Sequence, residues 1–144
     1  MSDYTKDEIK HILDRHKLWL DNPEEGERAD FSDCDMAGVN LPGAILRGAY
    51  LIDANLSKAN LYWANLSIAN LTGANLTRAN LTRANLAGAI LAGAILAGTN
   101  LERAILEGTN LSIANLSIAN LSRAILVRTN LTGANLEGII GYKP

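Results

Sequence analysis

From Ala29 to Gly138 the chain repeats every five residues, twenty-two times in succession, with no insertion or deletion. The third residue of the unit is Phe31, then Met36, then Leu at every step from Leu41 to Leu136. The first is Ala except at Cys34, Val39, Thr99, Thr109 and Thr129. Asn or Asp fills the second position in 16 units, and of the twelve glycines all but Gly26 and Gly141 fall on the fifth. A period of five suits neither regular element. On an α-helix five residues overshoot a full turn by about 140°, so the leucines would wind round every side and leave no polar face. On a flat strand an odd spacing sends successive leucines to opposite faces. The chain must therefore turn once per unit. Gly, which tolerates positive φ, and Asn or Asp, which bond the local backbone, supply the chemistry of that turn.

If each unit is one short side and one corner, the third-position Leu and first-position Ala both point inward and the walls close around a leucine column. The composition agrees: 48% of residues are hydrophobic but only 5% aromatic, which suits narrow layers of small and aliphatic side chains. The units A-N-L-S-K at Ala54, A-N-L-S-I at Ala64, A-N-L-T-G at Ala69 and A-N-L-T-R at Ala74 resemble the A-(D/N)-L-x-x signature of pentapeptide-repeat proteins. The resemblance spans residues 29–138. It implies an all-β solenoid, a right-handed quadrilateral β-helix with four units per coil, in which residues twenty apart stack. With coils roughly 4.8 Å apart, the tower would be about 25 Å long.

Residues 1–28 break the period and read as a helical cap with its linker. Thr5 followed by Glu8 is a capping box, and Ile9, Ile12, Leu13, His16 and Leu20 form an apolar-facing stripe before Asn22-Pro23 ends the helix. The stripe is expected to lie over the first coil and shield Phe31 and Met36. Family members with such a helix, many of them cyanobacterial, are similar here. The tail, residues 139–144, is too short for a second cap. The exposed edge this leaves predicts a homodimer through the C-terminal coil, as some members of the resembled family form.

Little in the sequence points to catalysis. His11 and His16 lie five apart and share no helix face, and no Cys, Asp or Glu set completes a metal site. Cys34 sits at an inward first position, where a buried inert thiol is expected. The abundant Ser, Thr and Gly are accounted for by the repeat, so the expectation is no enzyme, no metal and no cofactor. The hydroxyls of Thr99, Thr109 and Thr129 are expected to bond nearby backbone. The formal charge of −2 is uneven: residues 1–28 carry eight acids against five bases, whereas the repeats carry seven of each. No signal peptide or membrane-length apolar run is present, and a soluble cytoplasmic protein is expected.

Two surface features remain. Trp63, Arg83, Arg103 and Arg123 fall at twenty-residue spacing on the fifth position, a ladder with about 5 Å between neighbours. Its first reading is a hydrated row partly neutralised by Glu102 and Glu107; its second is contact with phosphate, another anion or nucleic acid. Ile45, Ile105 and Ile125 replace the usual Asn at the second position, and Ile68, Ile113 and Ile118 occupy the outward fifth. These predict contiguous apolar stripes, either a partner surface or plain ladder stabilisation. The leading function is a rigid rod that binds an unidentified protein. The resemblance also offers a DNA-mimic modulator of a type II topoisomerase, which the neutral repeat charge disfavours. Nucleic acid is not expected as a principal partner. Ice binding would need ordered Thr ranks, which the mixed column at 52, 72, 92, 112 and 132 lacks.

Overall fold

The computed structural model describes residues 3–143. It begins with helix α1, Lys6–Asp21, capped at Thr5, whose side chain accepts from the Glu8 N–H while Glu8 accepts from the Thr5 N–H. The rest is a tower of four-sided coils. Every second-position residue bridges in parallel to the one twenty residues on, from Asp30↔Tyr50 to Asn120↔Ile140. The walls differ from the all-β expectation: among the described residues no pairing extends beyond a single-residue bridge, so they contain no strands. Two of every five residues are consumed by the corner, which leaves only the second in ladder register.

Backbone accounting explains why each position holds its residue type. In the unit Ala74–Arg78, the Leu76 N–H donates to Ile95 O (2.7 Å) and the Arg78 N–H to Ala97 O (2.9 Å), both one coil ahead. The Asn75 N–H donates back to Ala54 O (2.9 Å), and the next unit's Ala79 N–H closes the turn on Leu76 O (2.9 Å). Only the fourth N–H is left over, and the second-position side chain takes it: Thr77 donates to Asn75 Oδ1 at 3.0 Å. Every second-position Asn or Asp accepts in this way except Asn40, whose fourth residue, Pro42, has no N–H. The asparagines are thus the fifth hydrogen-bond acceptor of each unit.

Fifth residues all take positive φ, whether Gly or not: Gly108 lies at 66°, Arg83 at 60° and Ile113 at 52°. That is the conformation the second central residue of a type II turn requires. With the corner so fixed, first and third side chains point inward, and from Leu46 to Leu121 the third-position residues are 0–2% exposed. Thr99, Thr109 and Thr129 fit because their hydroxyls donate to Leu76 O, Leu86 O and Leu106 O at 2.6–2.7 Å. No buried side-chain polar atom among the described residues lacks a partner.

The cap is fastened by polar as well as apolar contacts. Ile9 is buried, Ile12 and Leu13 pack on the core, and Phe31 and Met36 beneath them are fully covered. Leu20 is a correction: it is half-exposed and stands outside the core cluster, one turn beyond His16, the last residue of the stripe that bonds to a coil. His16, fully buried, accepts the Ala29 N–H at Nδ1 (2.9 Å), so Nε2 carries the proton and donates to Arg47 O (2.9 Å). One imidazole thereby joins helix, repeat start and first coil. Arg28 adds a latch, donating to Gly48 O and Tyr50 Oη while its guanidinium lies over the rings of Tyr50 and Trp19. Gly26 is required where the chain doubles back, since a Cβ there would stand 2.1 Å from Trp19 N.

Two outcomes are expected. Asn75→Ala leaves the Thr77 N–H without its acceptor and lowers stability by about 1–2 kcal/mol, whereas Ile105→Asn supplies the missing acceptor to Glu107 N–H and raises it; urea melts measure both. Burial, the largest cause, holds His16 below the ordinary imidazole range, with Arg28 acting the same way and the bond to Arg47 O opposing. Because the folded state favours neutral His16, its contribution is present above about pH 6.5 and lost as pH falls through the depressed folded value. Trp19, stacked on His16 at 5.5 Å, reports this as a fluorescence change on acidification that His16→Gln abolishes.

Candidate interaction surfaces

Four columns of outward residues run along the tower, and the second, fourth and fifth positions of each decide what a partner would meet. Side chains projected from the fifth position stand at the corners. Because these corners are left-handed, Gly is the low-cost occupant and a β-branched residue is a genuine outlier. Ile68 (φ 51°), Ile113 (52°) and Ile118 (53°) are such outliers, and they are 51%, 71% and 59% exposed.

The isoleucines do not form the stripes expected from their spacing. Ile68, Ile113 and Ile118 belong to three different columns. Ile45 is separated from Ile105 by Asn65 and Asn85, and only Ile105 and Ile125 bridge directly. What the structure assembles instead is a patch that spacing within one position could not reveal. Residues 89–98, Ala-Ile-Leu-Ala-Gly-Ala-Ile-Leu-Ala-Gly, carry no polar side chain and present Ile90 (40% exposed), Ala92, Ile95 (41% exposed) and Ala97 on two adjacent faces of one coil. In the next coil Ile113 and Ile118 lean over the bare corners at Gly93 and Gly98, their Cδ1 atoms 3.8 and 3.7 Å from where a Cβ would be. On the other side Gly133 and Gly138 are approached more closely, with Ile113 Cγ2 and Ile118 Cγ2 3.2 and 3.1 Å from where a Cβ would be. Ile90 and Ile95 lie in neighbouring columns, so no single column marks them; their signal in the sequence is two consecutive units lacking any polar residue.

A different corner carries the basic ladder. Backbone bonds from Trp63 N to Thr82 O, Arg83 N to Glu102 O and Arg103 N to Ser122 O hold Trp63, Arg83, Arg103 and Arg123 in one file. Trp63 is 61% exposed, its ring stacks beside Tyr62 (centroids 5.8 Å), and the Arg83 guanidinium lies 6.0 Å from the Trp63 centroid. The expected neutralisation is not what forms. Glu107 pairs with Arg128, one column away, and among the described residues no ion pair engages Arg83, Arg103 or Arg123. Glu102 stands beside the file, held by its own N–H to Asn100 Oδ1 rather than by a guanidinium.

Under the cap, α1 leaves a groove of about 690 Å³ lined by Ile9, Leu13, Val39 and Leu41 with Lys6 and Lys10 at its rim. Cys34 is also corrected: its thiol is half-buried, donates to Ser32 O at 3.5 Å, and is pushed up in pKa chiefly by burial. Among the described residues no group of His, Cys, Asp and Glu is placed to hold a metal, and no helix is long and apolar enough to cross a membrane.

The family profile described as Pentapeptide repeats matches residues 29–67, 69–108 and 104–138, and the chain belongs to that family. Among solved structures it is similar to the pentapeptide repeat protein Rfr23 of the cyanobacterium Cyanothece 51142, with 32% identity over 90% of this chain and 99% of that one and a TM-score of 0.76. HetL of Nostoc sp. PCC 7120, described as involved in heterocyst differentiation regulation, shares 35% identity over 79% of this chain and 62% of its own, with a TM-score of 0.39. A pentapeptide repeat protein of the Arabidopsis thaliana thylakoid lumen shares 31% identity over 72% of this chain and 65% of its own, also with a TM-score of 0.39. No curated protein matches the chain at a significant level.

The strain at the corners has a measurable consequence. Ile113→Asn and Ile118→Asn, which place a residue tolerant of positive φ on the same backbone, are expected to raise stability by about 1 kcal/mol each, read as urea midpoints. An equal loss would show that both isoleucines contribute to the fold.

Proposed function

We propose that this chain is a non-enzymatic interaction module, a rigid right-handed rod whose faces rather than any cleft bind a protein partner. The observation that carries this reading is the patch of Ile90, Ile95, Ile113 and Ile118. Two of its members, Ile113 and Ile118, are largely exposed and held in a backbone conformation that disfavours them, at corners where ten other units use Gly. Strain kept at exposed apolar residues is a mark of function rather than of folding. Charge stands only at the edges of the patch, with Arg78 beside the Gly98 corner and Glu137 one coil beyond Ile118, so the partner is expected to be apolar at the centre of the contact. A cytoplasmic location, supported by the single thiol Cys34, belongs to the same reading. Its test is a photo-crosslinking residue placed at position 113 in the host cell, with one at position 43 as the control corner. A defined adduct at 113 that disappears when Ile90 and Ile95 are changed to Asn supports the reading; equal labelling at both corners contradicts it.

A second reading concerns self-association. In the terminal coil Leu126, Leu131 and Leu136 are half-exposed rather than buried, unlike their counterparts below. The N–H groups of Leu126, Arg128 and Leu131 find no acceptor among the described residues. Apolar side chains beside unpaired backbone donors favour pairing of two such ends. Light scattering at high micromolar concentration is expected to give the mass of a dimer that Leu131→Glu reduces to a monomer.

A further inference from the structure

The geometry points to the Trp63–Arg123 corner as a binding site for single-stranded nucleic acid, with the phosphates along the arginines and a base on the Tyr62–Trp63 pair. Nothing in the fold requires these side chains. The coils at this corner are joined by backbone bonds and by side-chain bonds between second-position asparagines, Asn60 to Asn40 at 2.8 Å and Asn80 to Asn60 at 3.4 Å. Gly43 shows that the first corner of the same file needs no side chain. Yet the next four corners carry one Trp and three Arg at φ 59–61°, in the same disfavoured conformation as the isoleucines.

The three arginines spring from successive coils about 4.8 Å apart, so their charges repel one another, and among the described residues none has a carboxylate within ion-pair distance. The one carboxylate on this corner, Glu102, leaves an excess of positive charge. Acidic groups of the repeat cluster elsewhere, with Asp30, Asp33 and Asp53 sharing one column and Asp35 in the next. A linear anion laid along the file relieves the repulsion. From Trp63 to Arg123 the file spans about 14 Å, the length of about four nucleotides at the stacked spacing of one phosphate per 3.4 Å.

The aromatic end favours a nucleic acid over an acidic peptide. Trp63 is mostly exposed, lies nearly parallel to Tyr62 (26° between planes) and is steadied by the Arg83 guanidinium. A flat, fixed platform at the head of a cationic row is how sequence-tolerant single-strand binders hold a base and its backbone. Duplex DNA cannot use that platform, because its bases are already stacked. The neutral charge of the repeat as a whole does not oppose the site, since screening confines each charge's influence to about 10 Å at 0.1 M salt.

The experiment measures fluorescence anisotropy of a labelled oligothymidylate of about a dozen nucleotides titrated with the full chain at low salt. The expected dissociation constant lies at about 10⁻⁴–10⁻⁶ M, and its logarithm shifts with the logarithm of salt with a slope of about 2, as roughly three phosphate contacts require. Arg83→Gly, Arg103→Gly and Arg123→Gly together install the residue other corners already use, and circular dichroism checks that the fold is kept. This variant is expected to bind at least about tenfold more weakly. Trp63→Gly is expected to weaken the oligonucleotide severalfold while leaving inorganic tripolyphosphate unaffected. Absence of binding at low salt, binding undiminished in the triple variant, or polyglutamate competing as well as the oligonucleotide would each overturn the assignment.

Discussion

Everything in this molecule depends on one backbone constraint, a left-handed residue at every fifth position. Once φ is positive there, the chain turns by the same amount after the same number of residues, and the third and first side chains of every unit fall on one axis. Leucine and alanine then fill the interior, and the amide groups of successive coils come into register without a continuous strand. The hydrophobic effect supplies most of the stabilisation, but it acts on a geometry that the corners have already set. Asparagine completes the unit by accepting the fourth N–H, the only backbone donor of the unit that the coils leave over.

That constraint also explains why strain is informative here. Glycine satisfies a left-handed corner at little cost, and ten of the units use it. The others hold Asp, Lys, Trp, Ile or Arg at φ between 51° and 61°. Where the occupant is long and charged or aromatic, as at Trp63 and Arg103, or β-branched and exposed, as at Ile113, the fold gains little in return. Distinct corners have therefore been given distinct chemistry, apolar where Ile113 and Ile118 stand and basic along Arg83, Arg103 and Arg123. A scaffold this regular can change its surface without changing its core, because outward and inward positions never exchange roles.

How much of this could be read from the sequence follows from which contacts are periodic. The leucine column and the Thr5–Glu8 cap were legible because each rests on residues a fixed distance apart. The twenty-residue stacking, and with it the Trp63–Arg123 file, was legible only through the resemblance to pentapeptide-repeat proteins, because a period of five does not say how many units close a coil. The bond from His16 to Ala29 and Arg47, the stacking of Arg28 between Trp19 and Tyr50, and the need for Gly26 were not. They depend on how α1 sits over the first coil, which no repeat encodes. The apolar patch was half-legible: Ile113 and Ile118 stood out at their positions. Ile90 and Ile95 joined them only once two neighbouring columns and two successive coils were seen together. The pairing of Glu107 with Arg128 rather than with the ladder likewise turns on side-chain direction across a corner.

The central claim is that fifth-position corners are left-handed, and the sign of one stability change tests it. At Gly108 an added Cβ would meet nothing closer than Gly88 N at 3.9 Å, so Gly108→Ala is not opposed by crowding. With φ at 66° the substitution is expected to lower the urea-unfolding free energy by about 1–2 kcal/mol. If the corner were an ordinary right-handed or extended one, the same methyl group would raise stability by about 0.4–1 kcal/mol through the unfolded chain, and that result would contradict the account.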